Sequence, residues 1–104
     1  MARSSTEYSL KNLRDRGFIA EVVERFNTFS RRRIDLFSVI DIVAIKPDEI
    51  LGVQATSYGA ATEHRKKIRE EPKVRSWLEA GGKLELHLWR KIKNRWQVKI
   101  ETIV

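Results

Sequence analysis

The chain has 104 residues, 21 Lys and Arg against 14 Asp and Glu, a net charge of +7 and an apolar share of 41%. A chain of this length buries roughly two-thirds of the surface its unfolded form exposes, so residues 1–104 are expected to form a single domain around one core, without metal or disulfide staples. The absence of cysteine excludes a disulfide framework, a thiolate zinc site and a cysteine nucleophile. Its apolar runs are too short for a membrane span or a signal peptide, and the expected location is the cytoplasm. The sequence is too rich in Ile, Val, Leu and Trp for a disordered basic tail, so the positive excess is expected on a folded surface facing a polyanion.

Ser4, Ser5 and Thr6 are helix-capping types, Leu10 and Leu13 share a helical face and Gly17 stops the run, which predicts a first helix over Glu7 to Arg16. From Phe18 the period becomes two. Phe18, Ala20, Val22 and Phe26 alternate with Ile19, Glu21, Val23 and Arg25, a first strand in which Glu24 interrupts the apolar side. Asn27 to Arg33 is polar and basic, and Ile34 to Ile45 is a β-branched apolar run that predicts a central second strand carrying Asp35 and Asp41. Lys46-Pro47-Asp48-Glu49 supplies a turn, and Ile50 to Ala55 reads as a third strand antiparallel to the second.

Tyr58-Gly59-Ala60-Ala61 leads into helix formers from Thr62 to Arg69, Pro72 restarts the helix, and Ala80-Gly81-Gly82 ends it. Leu84, Leu86 and Leu88, then Trp96, Val98 and Ile100, alternate with polar residues and predict two further strands joined by a basic link, Arg90 to Arg95. This order predicts an α/β domain: a helix, a three-stranded meander, a helix pair and two strands, with helices flanking a mixed five-stranded sheet. The long connection between the third and fourth strands suits a parallel crossover. Two of Trp77, Trp89 and Trp96 are expected in the core.

Side chains on a strand repeat every second residue, which places Asp35, Phe37, Val39, Asp41 and Val43 on one face of the second strand, and Gln54 and Thr56 on one face of the third. Asp41 stands among Val39, Ile40, Ile42 and Val43, where an ionised carboxylate needs a cation or a set of donors. Mg²⁺ is one such cation, with the Gln54 amide oxygen and the Ala55 carbonyl as neutral ligands, and water or substrate phosphate completing the set. The plainer assignment of Asp41 is a structural acid held by backbone donors or by Arg33, and Asp35 is assigned to one of the preceding arginines. His64 and His87 read as surface or packing residues, since no second His stands at a ligand spacing.

Three basic segments, Arg31-Arg32-Arg33, Arg65-Lys66-Lys67, and Arg90-Lys91 with Lys93 and Arg95, come from separate connections or helix faces. Converging on one rim they would contact phosphates, with salt-sensitive affinity and little sequence preference. The plain alternative for Arg65, Lys66, Lys67 and Arg69 is the solvated face of an ordinary helix.

The stretches Arg33-Ile34-Asp35-Leu36-Phe37, Ile40-Asp41-Ile42-Val43-Ala44-Ile45, Val53-Gln54-Ala55-Thr56-Ser57 and Trp77-Leu78-Glu79-Ala80-Gly81-Gly82, taken with the order of elements, resemble the PD-(D/E)XK nuclease superfamily. The resemblance runs from Glu7 to Ile103 and is nearest to small, often phage-encoded members related to Holliday-junction resolvases and VRR-NUC domains. It implies a restriction-endonuclease-like core and a DNA endonuclease or resolvase-like phosphodiesterase that uses Mg²⁺ or Mn²⁺. Asp41 fits the family's second-strand aspartate and Gln54-Ala55-Thr56 its E-x-K or Q-x-K triad. The implied metal ligands are Asp41, Gln54 and Ala55, with Glu7 or Glu24 as the extra acid that members recruit near the first helix and strand.

Thr56 departs from the pattern, because it stands where the family has lysine and can hydrogen-bond a water but carries no positive charge. Some members supply that lysine from the following helix, which points to Lys66 or Lys67, of which Lys67 is preferred. Gln for Glu removes one ligand charge and implies weaker ion affinity. The alternative is a catalytically inactive module of the same fold that binds nucleic acid or a protein partner. Pairing of two copies is the assembly implied for an enzyme that cuts both strands of DNA.

Overall fold

The computed structural model describes residues 4–104. Helix α1 (Ser5–Asp15) begins where the Ser4 hydroxyl accepts a hydrogen bond from the Glu7 N–H at 3.2 Å, and it ends before Gly17, whose φ of 92° belongs to the left-handed region that glycine adopts without strain. Strands β1 (Ile19–Val22), β2 (Arg25–Asn27), β3 (Arg32–Ile34), β4 (Ile42–Lys46) and β5 (Glu49–Ser57) follow. After a 3-10 turn at Tyr58–Ala60 come α2 (Ala61–Glu70), α3 (Pro72–Glu79), β6 (Lys83–Ile92) and β7 (Arg95–Ile103). Pro72 opens α3, a position where its missing N–H costs nothing, so the helix pair breaks where the sequence predicts.

The main sheet is mixed and five-stranded, in the order β1-β4-β5-β6-β7, with β5 and β6 parallel and the other pairs antiparallel. The α2–α3 connection supplies the crossover that a parallel pair requires. Helix α1 covers one face, where Leu13, Phe18, Ala20, Ile42, Leu51 and Val53 form a buried cluster. Helices α2 and α3 cover the other, with Ile40, Ile68, Val74, Leu84, Leu86 and Leu88 at its centre. Odd positions of β5 therefore face α1, while Gly52, Gln54 and Thr56 face the α2 side. Trp89 is buried and Trp77 packs against the α2–α3 core, whereas Trp96 remains 44% exposed. No helix among the described residues is long and apolar enough to cross a membrane.

Two strands differ from expectation. The first stops at Val22, and Arg25–Asn27 pairs with Arg32–Ile34 in a separate two-stranded ribbon. The run Ile34 to Ile45 is not one strand: only Ile42–Lys46 joins the sheet, and the residues before it double back through a turn closed by the Leu36↔Ile40 bridge, with Phe37 and Ser38 at φ 52° and 68°. Asp35, Phe37, Val39, Asp41 and Val43 therefore do not share a strand face. Apolar content alone did not distinguish a strand from a buried turn, because Val39 and Ile40 are core residues of that turn. Gly52 gives the Ile40 side chain room to pack closely on β5, since a Cβ there would stand 2.8 Å from Ile40 Cδ1. The link from β6 to β7 is also shorter than predicted. Arg90, Lys91 and Arg95 belong to strands, and the turn is Lys93-Asn94 at φ 50° and 63°.

Candidate metal centre

Asp41 is the last residue before β4. Its N–H donates to the Val53 carbonyl at 2.8 Å and its Oδ2 accepts from the Ala55 N–H at 2.8 Å, so the edge of β5 fixes both its backbone and its carboxylate. The turn before it returns Asp35 to the same place, and the last residues before β2 bring Glu24. Carboxylate oxygens of Glu24, Asp35 and Asp41 all lie within 4.8 Å of one another, a group that could hold a metal ion. Gln54 reaches in from β5, its Nε2 standing 3.3 Å from Asp35 Oδ2 and 3.4 Å from Asp41 Oδ2. Lys67 on α2 places Nζ 3.5 Å from Asp35 Oδ2, and Arg33 on β3 places Nη1 3.0 Å from Glu24 Oε1.

The electrostatics of this group are unfavourable as they stand. Burial raises the Asp41 carboxyl, and its hydrogen-bonded neighbour Asp35 adds to the rise; the Ala55 N–H opposes both, and the result is about 8. A carboxyl that holds its proton at neutral pH, beside two more acids, marks a site short of positive charge. Gln54 adds a second sign: the residue is buried, its distances to the acids are long for hydrogen bonds, and its Oε1 has no partner. A half-turn of the amide would present that oxygen to a cation among the carboxylates. Three carboxylates and an amide oxygen are hard ligands, so the chemistry of the donor set fits Mg²⁺ or Mn²⁺ and not a soft metal.

The remaining candidates are distributed as follows. As the structure stands, Gln54 turns its amide nitrogen to the acids rather than its oxygen, and Ala55 contributes its N–H to Asp41. Glu24 stands in the acid group, whereas Glu7 is exposed in the first turn of α1, on the opposite face of the sheet. Asp35 is not held by the preceding arginines, its neighbours being Gln54 and Lys67, and Arg33 pairs with Glu24. Thr56 Oγ1 lies 3.2 Å from His64 Nε2, and His64 Nδ1 is buried without a partner. Burial, then the charge of Lys67, lowers the His64 pKa and favours its neutral form.

Among the basic residues, Arg31 and Arg32 are exposed at the β2–β3 turn, and Lys66 lines a shallow depression with Lys67, Ser38, Glu63, Glu70 and Glu71. Arg65 is held by Glu101 through Nε at 2.8 Å and through Nη2. Arg90 covers the Tyr58 ring at 4.4 Å, while Lys91, Lys93 and Arg95 lie further along the β6–β7 hairpin. Two of the three basic segments thus border the acid group directly.

Asp35 and His64 are the site residues that the sequence reading set aside. Ser38 within the apolar run was the available signal for Asp35, since its N–H closes a turn onto the Asp35 carbonyl at 3.1 Å. For His64 the sequence offers no comparable mark. The chain matches no protein-family model and no curated protein closely enough to count as a relative.

Proposed function

We propose that this protein is a metal-dependent phosphodiesterase acting on DNA, with a variant PD-(D/E)XK-type centre. The reading is carried by the convergence of Glu24, Asp35 and Asp41 within 4.8 Å, from a turn and two strand ends, beside the Gln54 amide, which turns its nitrogen to the acids and leaves its oxygen without a partner. The group lies beside Gln54 and Ala55, in the carboxyl-terminal half of β5. Bound Mg²⁺ or Mn²⁺ would supply Lewis-acid activation of a phosphodiester and of an attacking water. Asp41, Asp35 and Glu24 would be its ligands, joined by the Gln54 oxygen after a half-turn of the amide. Lys67, on the rim at 3.5 Å from Asp35, offers the positive charge that Thr56 lacks. Thr56 and neutral His64 form a donor–acceptor pair able to orient a water.

The same arrangement supports a second reading, a nuclease-like module that binds nucleic acid or a protein partner without turnover, because the Thr56 hydroxyl is already engaged by His64 and carries no charge. Labelled single-stranded, duplex, flap and four-way-junction DNA, incubated in Mg²⁺, Mn²⁺ or EDTA beside an Asp41→Ala control, separates the two. Cleavage that needs the metal and disappears in Asp41→Ala supports the enzyme. Salt-sensitive binding without cleavage supports the silent module, and the absence of both overturns each as a reading of DNA function.

A further inference from the structure

The β2–β3 ribbon grows directly out of the carboxylate centre, since Glu24 and Asp35 flank its last pair, Arg25↔Ile34. Opposed residues of an antiparallel pair share a face, and that face recurs every second residue. Phe26 and Arg33 are opposed, so they continue the face of Glu24 and Asp35, as the 3.0 Å contact from Arg33 to Glu24 shows. The turn is pinned by the Asn27 side chain, whose Oδ1 accepts from the N–H groups of Phe29 at 2.9 Å and Ser30 at 3.1 Å, with Arg31 at φ 54°. It holds Phe29 98% exposed at the tip, with Phe26 60% exposed behind it. A phenyl ring left in water forgoes the stabilisation of burial, and a ribbon this short is marginal on its own. Four arginines, Arg25, Arg31, Arg32 and Arg33, stand on the same ribbon.

We propose that this ribbon is a DNA-binding arm whose arginines hold phosphates and whose Phe29 stacks on an unpaired base, so that the preferred DNA is a frayed end, flap or branch rather than intact duplex. Within a duplex each base face is covered by its neighbours, whereas an unpaired base offers its face to an aromatic ring. Arginines alone bind both forms through phosphate and do not discriminate. The three residue pairs span roughly 7 Å, which sets a short separation between the stacked base and the phosphate nearest the acids. The inference rests on the metal-dependent reading at the base of the ribbon, because three carboxylates repel a phosphate unless a cation stands between them.

Fluorescence anisotropy with a labelled single strand, a flap and an intact duplex, each in Ca²⁺ and in EDTA with a gel to confirm that the strands stay uncut, tests this. Phe29→Ala is expected to weaken binding to the single strand and the flap by about tenfold, and to leave duplex binding unchanged. Phe29→Trp should keep the affinity and Phe29→Leu should not, which separates stacking from mere apolar contact. Arg31→Ala and Arg32→Ala should weaken all three DNAs alike and reduce the salt dependence. The Phe29 ring is exposed, so these variants should melt with the parent. Equal loss on paired and unpaired DNA in Phe29→Ala, or no loss on either, overturns the arm. Should binding depend on Ca²⁺ while Phe29→Ala has no selective effect, the metal reading stands and the arm falls. Selective loss in Phe29→Ala with equal binding in Ca²⁺ and EDTA keeps the arm and removes the metal, and no DNA binding removes both.

Discussion

Each face of the sheet carries a polar cluster that includes a histidine, and the two clusters are built on opposite terms. On the α1 face Arg16 donates to both oxygens of Glu85 at 3.0 and 2.9 Å, and His87 Nε2 lies 2.8 Å from Glu85 Oε1. His87 Nδ1 meets Ser9 Oγ at 2.8 Å, and the same oxygen accepts from Trp89 Nε1 at 2.7 Å. An ionised Glu85 fixes the proton on Nε2, so the Ser9 hydroxyl donates to Nδ1 and every donor in the line has an acceptor. Burial alone would raise the Glu85 carboxyl, but hydrogen bonds from His87 and Arg16 and the charge of Arg16 outweigh it and hold it at about 2. Serine, histidine and acid in line resemble a nucleophilic site, yet Ser9 and His87 have no exposed surface for a substrate to reach. On the α2 face three acids crowd together, Asp41 is pushed up to about 8, and Gln54 Oε1 and His64 Nδ1 are left without partners. A closed network of this kind serves the fold. The open one destabilises the metal-free protein and makes sense as a site for a cation.

That contrast can be broken from either side. The largest effect expected is on turnover, where Asp41→Ala should reduce metal-dependent cleavage by about 10³-fold or more, read on labelled DNA under single-turnover conditions. His87→Ala leaves the buried Ser9 hydroxyl without an acceptor, opens a void and removes one donor to Glu85, which Arg16 still holds, and should cost about 3 kcal/mol in urea denaturation, with the cleavage rate per folded molecule unchanged. Glu85 gives a pH signature. Its folded pKa of about 2 lies below the ordinary 4.5, so its contribution is complete above 4.5 and is lost as the pH falls from there towards 2. That contribution is at most about 3 kcal/mol, and Glu85→Gln should flatten the acid limb of the stability curve. Asp41 has the opposite sign. Raised from 3.8 to about 8, it makes the metal-free fold lose stability as the pH rises through that window. Asp41→Asn keeps an acceptor for the Ala55 N–H, and in EDTA near pH 8 it should stabilise the protein by about 1 kcal/mol, a gain that shrinks towards pH 4.

The parts legible in the sequence were those with a period or a cap. The Ser4 cap, the Pro72 restart and the alternation Leu84-Leu86-Leu88 each act locally, and α1, α3 and β6 stand where they point. The parallel pairing of β5 with β6 was legible as well, because the connection is long enough to cross over. What local pattern could not carry was the tertiary use of an apolar stretch. Ile34 to Ile45 has the composition of a strand, but Val39 and Ile40 are buried by folding back over Gly52. The candidate site was partly legible for the same reason. Asp41, Gln54 and Lys67 were marked by context and by resemblance, and all three meet at the acid group. Asp35 and His64 enter it through a turn and a helix packing angle, which no spacing rule encodes.

The most direct test of the central claim is calorimetric titration of Mn²⁺ into the parent protein and Asp41→Asn at neutral pH. The account predicts saturable binding by the parent and its loss in Asp41→Asn, whose fold stays intact. Equal binding by both proteins, or none by the parent, would contradict it.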